Sequence, residues 1–138
     1  MKTFEELDCW KRSTQLRRKL SVVVKSFPAD EKFKLNDQIT RASRSVTANI
    51  AEGYGRFHYQ ENIQFCRQSR GSLFELIDHL VVALDERYIT EVQFSELRSD
   101  IQECLALLNG FINYLSKAKE QHSKVNEPET YYGLTINE

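Results

Sequence analysis

The sequence predicts an all-α protein folded as an antiparallel up-down four-helix bundle, and three observations carry that reading. Four segments repeat apolar residues at helical spacing, the links between them are short, and the 138 residues include only 2 Pro and 5 Gly, fewer turn residues than a sandwich or barrel needs. A hydrophobic share of 41% beside 28% charged residues is the balance of a soluble, largely helical domain. A single domain of this length buries about two-thirds of the surface its unfolded chain exposes, so no metal or disulfide staple is required.

The first helix is predicted from Phe4 or Asp8 to Ser26, with Thr3 and Glu6 in capping-box spacing and "FPADE" breaking the chain at Pro28. At about 100° per residue, Trp10, Leu16, Leu20, Val23 and Phe27 share the core side. Lys11, Arg12, Arg18, Lys19 and Lys25 occupy the other side, and Arg17 lies further round. A second helix is expected from Leu35 or Asn36 to Glu52 on the narrow stripe Leu35, Ile39, Ala42, Val46 and Ile50. Beside that stripe runs a line of Arg41, Ser45, Ala48 and Glu52, small or ionic where an ordinary surface helix scatters Lys and Glu.

The third helix should run from Tyr59 or Gln60 to Glu86, about 40 Å, with Ile63, Cys66, Leu73, Ile77, Leu80 and Leu84 inward. Phe65, Leu76 and Val82 fall outside this stripe. Apolar residues on more than one side call for a second partner and point to oligomerisation. The fourth helix opens with Thr90 and Gln93 in capping-box spacing, and Phe94, Leu97, Ile101, Cys104, Leu108, Phe111 and Leu115 then alternate by three and four. That is a heptad seam, widened by Leu105 and Ile112. Residues 1–118 are therefore expected to form the bundle and 119–138 a largely disordered tail. Tyr131, Tyr132, Leu134 and Ile136 in that tail can dock on a neighbour; the alternative is a floppy terminus.

Several chemistries are excluded by spacing. Cys9, Cys66 and Cys104 are odd in number and far apart, which reads as buried, reduced thiols rather than a disulfide framework or a metal knuckle. The longest apolar runs, such as "LVVAL" at 80–84, fall far short of a membrane span, and the N-terminus lacks a signal-peptide core. A cytoplasmic protein is expected. A di-iron bundle site needs two Glu-x-x-His pairs, whereas Glu75 is followed at that spacing by Asp78, and His79 comes one position late. Helical-bundle ribonucleases carry Arg, then four to six residues, then His; the positions this spacing requires upstream of His58, His79 and His122 hold no Arg. In "NIAEGYGR" (49–56) the glycines follow a helix, where carbonyls are left over rather than the N–H groups a phosphate needs. Gly53 is read as a left-handed C′ cap. No enzyme, cofactor or metal is implied.

Charge is polarised along the chain. Residues 1–60 hold 12 Lys and Arg against 7 Asp and Glu, and residues 61–138 hold 7 against 13. A basic half of this kind presents a face to nucleic acid, pairs with the acidic half of a neighbouring subunit, or is simply a salt-laced surface.

"LNDQITRASRSVTANIAEGYGR" (35–56), "RGSLFELIDHL" (70–80) and "FP" (27–28) together resemble the four-helix-bundle family encoded in intervening sequences of bacterial 23S rRNA genes, also called S23 ribosomal proteins. Matching positions include Leu7, Trp10, Gln38, Arg41, Ala42, Ser45, Asn49, Glu52, Gly53, Arg56, Gly71, Ser72 and Glu75, and the likeness covers about residues 7–118. The resemblance implies a protomer that assembles into a ring-like homopentamer and a fold similar to the accessory protein of diversity-generating retroelements, which binds a reverse transcriptase and nucleic acid. It carries no enzymatic activity.

Two expectations about residues follow. Arg41, Ser45, Asn49 and Glu52 lie close on one arc of helix 2, and Glu75 sits beside Gly71 and Ser72, where another backbone can approach. A buried or interfacial polar network is expected, with Arg41 and Arg56 pairing Glu52 and Glu75, and Asn49 joining helix 2 to helix 3. Lys11, Arg12, Arg17, Arg18, Lys19, Lys25 and Arg44 are the candidate contacts to rRNA or other nucleic acid, without the aromatic interleaving of base-stacking readers. The competing function is a scaffold whose ring recruits a protein partner such as a polymerase or reverse transcriptase.

Overall fold

The structure is a computed structural model, and it describes residues 3–124. Its four α-helices are α1 (Asp8–Val23), α2 (Leu35–Gly55), α3 (Tyr59–Asp85) and α4 (Glu91–Lys124), with 3-10 turns at Phe4–Glu6, Val24–Ser26 and Ala29–Glu31. There is no strand among the described residues. Each helix packs on its sequence neighbour, and α4 closes the set against α1. Cross-helix bonds fix the directions. Ser72 and Ser69 of α3 meet Ser45 and Val46 of α2, while Gln60 and Arg70 of α3 meet Lys119 and Asn109 of α4. Both pairs run antiparallel, the contact order of an up-down bundle.

The apolar stripes meet in one core that includes Leu16, Leu20, Ile39, Ile50, Leu73, Leu80, Ile101, Leu108 and Leu115. Cys9, Cys66 and Cys104 are free thiols inside it. Burial pushes the Cys9 and Cys66 thiols up to about 12 and raises Cys104, so the nucleophilic thiolate is suppressed at neutral pH. No helix of the described residues is long and apolar enough to cross a membrane.

The local signals at α4 read correctly. The Thr90 Oγ1 accepts the Gln93 amide at 3.1 Å and the Gln93 side chain accepts the Thr90 amide at 2.9 Å, a reciprocal capping box. At the other end of the chain the same spacing does not cap. Thr3 gives its hydroxyl to Glu5, and the 3-10 turn at Phe4–Glu6 separates it from α1.

Three boundaries and one face differ from expectation. Helix α2 continues through Gly53 to Gly55, and no glycine among the described residues has a positive φ; the left-handed residue after α2 is Phe57, at φ 58°. Gly53 is needed instead for close packing. A Cβ there would stand 2.7 Å from Asn62 Oδ1 and 2.8 Å from Phe65 Cβ, so α2 and α3 touch where this side chain is missing. Helix α1 stops at Val23, its last turn tightening to 3-10. Helix α4 runs to Lys124, so Lys119–Lys124 of the expected tail are helical, held by the Lys119–Gln60 hydrogen bond and the His122 ring against Tyr59. Tyr131, Tyr132, Leu134 and Ile136 lie outside the described residues. Leu76, expected outside the inner stripe of α3, is fully buried and Phe65 is half-buried, because α3 is flanked by both α2 and α4 and its covered arc is correspondingly wide. Of that trio, Val82 alone is exposed.

Candidate nucleic-acid interface

Helix α1 carries its cations in two lines at seven-residue spacing, and they have different fates. Arg12 and Lys19 turn toward α4. Asp100 receives Arg12 Nη2 and Lys19 Nζ, each at 2.8 Å, while Arg12 Nε donates to Glu103 at 2.8 Å. One carboxylate thus clamps two cations two turns apart. Burial works against the charge at both Arg12 and Asp100, but it is outweighed: hydrogen bonds to Glu103 and Asp100 raise Arg12, and those from Lys19 and Arg12 lower Asp100. Arg12 and Lys19 therefore serve the α1–α4 seam, which removes them from the expected free cationic face.

Lys11, Arg18 and Lys25 form the second line. All three are exposed and make no ion pair among the described residues. From Cys9 to Ala29 the chain contains no Asp or Glu, nor does it from Gln38 to Ala51. The Asn36 amide donates to the Val24 carbonyl at 3.0 Å and sets the register between α1 and the antiparallel α2. Seven residues along each helix, Arg17 lies level with Ser43, so Arg17 and Arg44 flank the same level of the seam. Arg17 is half-buried and Arg44 is exposed. The cation surface accordingly spans the outer side of α1 and the adjoining side of α2.

The expected polar network takes a different form. Arg56 pairs with Glu52 at 3.1 Å on an exposed surface rather than a buried one, and its guanidinium also stands 5.1 Å from the centre of the Phe65 ring. Arg41, however, pairs with Asp37 at 2.8 Å on an open surface, and Glu75 pairs with His79 at 2.8 Å. All three are bonds between residues four apart on one helix, which local geometry favours over reaching across a seam. Asn49 stays within α2, donating to the Ser45 carbonyl and hydroxyl, both at 2.9 Å. The α2–α3 link is made instead by Ser72 donating to Ser45 at 2.9 Å and buried Ser69 donating to the Val46 carbonyl at 2.8 Å. Small hydroxyls suit this seam because the backbones are close. Gly71, expected to admit a neighbouring backbone, has open space around it among the described residues.

Sequence reasoning missed Asp100 and Glu103 as partners of α1, Ser69 as a helix clamp, and fully buried Asn62, which accepts from Cys66 Sγ at 3.5 Å. Buried Asn and Ser on the apolar arc of α3 were the available signal. At the far end of the bundle from the α1–α2 link, a groove of about 540 Å³ is lined by Tyr59, Tyr114, Lys117, Ala118, Gln121 and His122.

A family model described as 23S rRNA-intervening sequence protein matches residues 5–110. The chain belongs to that family. A solved structure from Bacteroides thetaiotaomicron VPI-5482, described as a protein with unknown function from the S23 ribosomal protein family, superposes with a TM-score of 0.70 at 23% identity. The match covers 76% of this chain and 95% of that one, and at this identity it speaks to the shared fold. Comparison with curated proteins gives no match. Within the 23S rRNA-intervening sequence family, then, the seam residues Ser45, Gly53 and Ser72 and the cation lines of α1 all lie inside the matched segment.

Proposed function

We propose that this member of the family is a non-catalytic, cytoplasmic protein that binds RNA or DNA through phosphate contacts from Lys11, Arg17, Arg18, Lys25 and Arg44, and that it acts as a homo-oligomer, a ring of the homopentameric kind. The observation that carries the reading is the separation of cations on α1: Arg12 and Lys19 are neutralised by α4, whereas Lys11, Arg18 and Lys25 make no ion pair among the described residues and stand beside acid-free stretches of α1 and α2. An unpaired line of this kind stabilises a polyanion by releasing its counterions. The family's description, which refers to an rRNA-linked sequence, supports rRNA as the first nucleic acid to try.

Fluorescence anisotropy with labelled rRNA fragments and duplex DNA at low salt tests this. Binding should weaken steeply as salt rises, and each cation lost from the line should flatten the log–log salt slope by about 0.7 to 0.9. A triple Lys11→Glu, Arg18→Glu, Lys25→Glu variant should abolish the shift while remaining folded. No binding by the wild type to either nucleic acid at low salt rejects the reading.

A second reading, a scaffold that recruits a polymerase or reverse transcriptase, is favoured by Phe74 and Val81, which lie seven residues apart on α3 and are both exposed. The same pair could serve self-assembly. Pull-downs with and without nuclease separate the cases: a protein partner retained after nuclease favours the scaffold, and sedimentation of a Phe74→Ser, Val81→Ser variant reports on the oligomer.

A further inference from the structure

The link between α1 and α2 carries the most exposed large hydrophobic side chain of the described residues. Phe33 is 84% exposed, and it sits between Lys32 and Lys34 with the Lys32 Nζ 5.4 Å from its ring centre. Its surroundings are held in place rather than slack. Phe27, buried at the start of the link, packs its ring 5.3 Å from Tyr88, and the Tyr88 hydroxyl donates to Glu31 at 2.9 Å. The Lys34 amide donates to the Glu31 carbonyl at 3.0 Å, and the Gln38 amide in turn to the Lys34 carbonyl at 3.0 Å. Bonds on either side of Phe33 thus fix the backbone, and the side chain stays exposed with the Lys32 ammonium over its ring.

We propose that Phe33 is a stacking residue for an unpaired nucleobase, so that the protein prefers single-stranded nucleic acid to duplex. This deepens the nucleic-acid reading above and rests on it. Three observations converge. A phenyl ring has a flat apolar face that any base can cover, and a base in a duplex is not available to do so. Lysines on both sides of the ring, with Lys25 on the adjoining turn, supply charge for the phosphates flanking such a base; Asp30 is the exposed acid of the link, and the Glu31 carboxylate is taken by Tyr88. The position is also continuous with the cation surface. The Asn36–Val24 contact places the start of α2 against the turn that holds Lys25, so Phe33, three residues before Asn36, belongs to the link at the Lys25 end of the Lys11–Arg18–Lys25 line. A strand following that line meets the ring as it leaves α1.

The experiment compares an unstructured oligouridylate with an RNA duplex of equal length, using the full chain and its Phe33→Ala and Phe33→Trp variants. Phe33→Ala should lose about tenfold or more in single-strand affinity, the scale of one stacked base, with duplex affinity unchanged. Phe33→Trp should bind as wild type, and its added indole emission should be quenched by the oligouridylate. At 84% exposure neither change threatens the fold. Equal single-strand binding by wild type and Phe33→Ala overturns the proposal while leaving phosphate binding intact, as does an unquenched Phe33→Trp. A changed sedimentation coefficient for Phe33→Ala assigns the ring to a contact between copies and likewise overturns it. Failure of the wild type to bind either RNA removes the underlying reading together with this one.

Discussion

The α2–α3 and α1–α4 seams join helices of the same bundle by opposite means. Between α2 and α3 the contacts are small: the bare Cα of Gly53, the Ser45–Ser72 hydroxyl pair and the Ser69–Val46 bond, with no ion pair across the seam among the described residues. Between α1 and α4 two long cations reach two acids, with Asp100 at the centre. A seam built on close backbones tolerates no added volume, because packed interiors cannot open locally without losing contacts elsewhere. A seam built on long charged side chains has slack, and it responds instead to pH and salt. The first seam fixes the geometry of the bundle, and the second leaves the remaining cations of α1 facing outward.

The largest effect should come from adding volume at the tight seam. A side chain at Gly53 meets the Asn62 side chain, which is buried, and the Phe65 Cβ, which moves only with the backbone. Gly53→Val is expected to destabilise by about 3 kcal/mol, at the upper end of overpacking changes. Gly110→Ala sharpens the comparison. A Cβ there meets nothing within 4 Å among the described residues, so removing glycine from the middle of α4 should stabilise by about 0.5 to 1 kcal/mol. Urea midpoints at constant slope measure both. If the two substitutions shift the midpoint in the same direction, Gly53 is an ordinary helical glycine and the contrast between the seams is lost.

These two glycines also show how far a sequence can be read. Both stand in apolar helical patterns, and only the neighbouring helix distinguishes them. What repeats locally was legible: the alternation from Phe94 to Leu115 produced α4, and the Thr90–Gln93 spacing produced its cap. The same held for the cations of α1, whose period placed Lys11, Arg18 and Lys25 on an outward face. The pairing of Arg12 with Asp100 and Glu103 was not legible, since the partners lie 88 and 91 residues away and nothing in the α1 pattern marks which line turns toward α4. Glu75 misled for the reverse reason. Its Gly-Ser context points across a seam, whereas His79 one turn along its own helix takes the contact. Phe33 escaped notice because it lies in a link without periodicity, where exposure is decided by how the neighbours fold.

A smaller loss is expected when the tight seam loses a bond but no volume is added. Ser69 is fully buried and its hydroxyl donates to the Val46 carbonyl 23 residues earlier. Ser69→Ala removes that donor and leaves the carbonyl its place in the α2 ladder, so the cost should be about 1 kcal/mol, the net value of a neutral hydrogen bond. Ser69→Val should cost more than Ser69→Ala, because the extra methyl groups enter where the helices are closest. Thermal unfolding of the pair decides this; a valine variant as stable as the alanine one would show that the seam has room.

The smallest effect belongs to the charged seam, and its signature is a pH dependence. Asp100 is held below its ordinary value of 3.8 by Lys19 and Arg12, against the opposing influence of burial. A carboxylate with a depressed folded-state pKa binds protons more readily in the unfolded chain. Its contribution is therefore fully present above pH 3.8 and is lost as the pH falls through the lower, folded value. Asp100→Asn removes this charge with little change of shape. Because the carboxylate and both cations reach solvent in part, the variant should be less stable by about 1 kcal/mol or less at pH 7. Denaturant titrations should find that gap constant from pH 7 to about 5 and closing below pH 4. Added salt should narrow it at pH 7, whereas the Ser69→Ala gap should not respond to salt. A gap that stays open at pH 2 would mean that Asp100 holds the seam through packing or neutral hydrogen bonds, and the electrostatic account of α1 and α4 would fail with it.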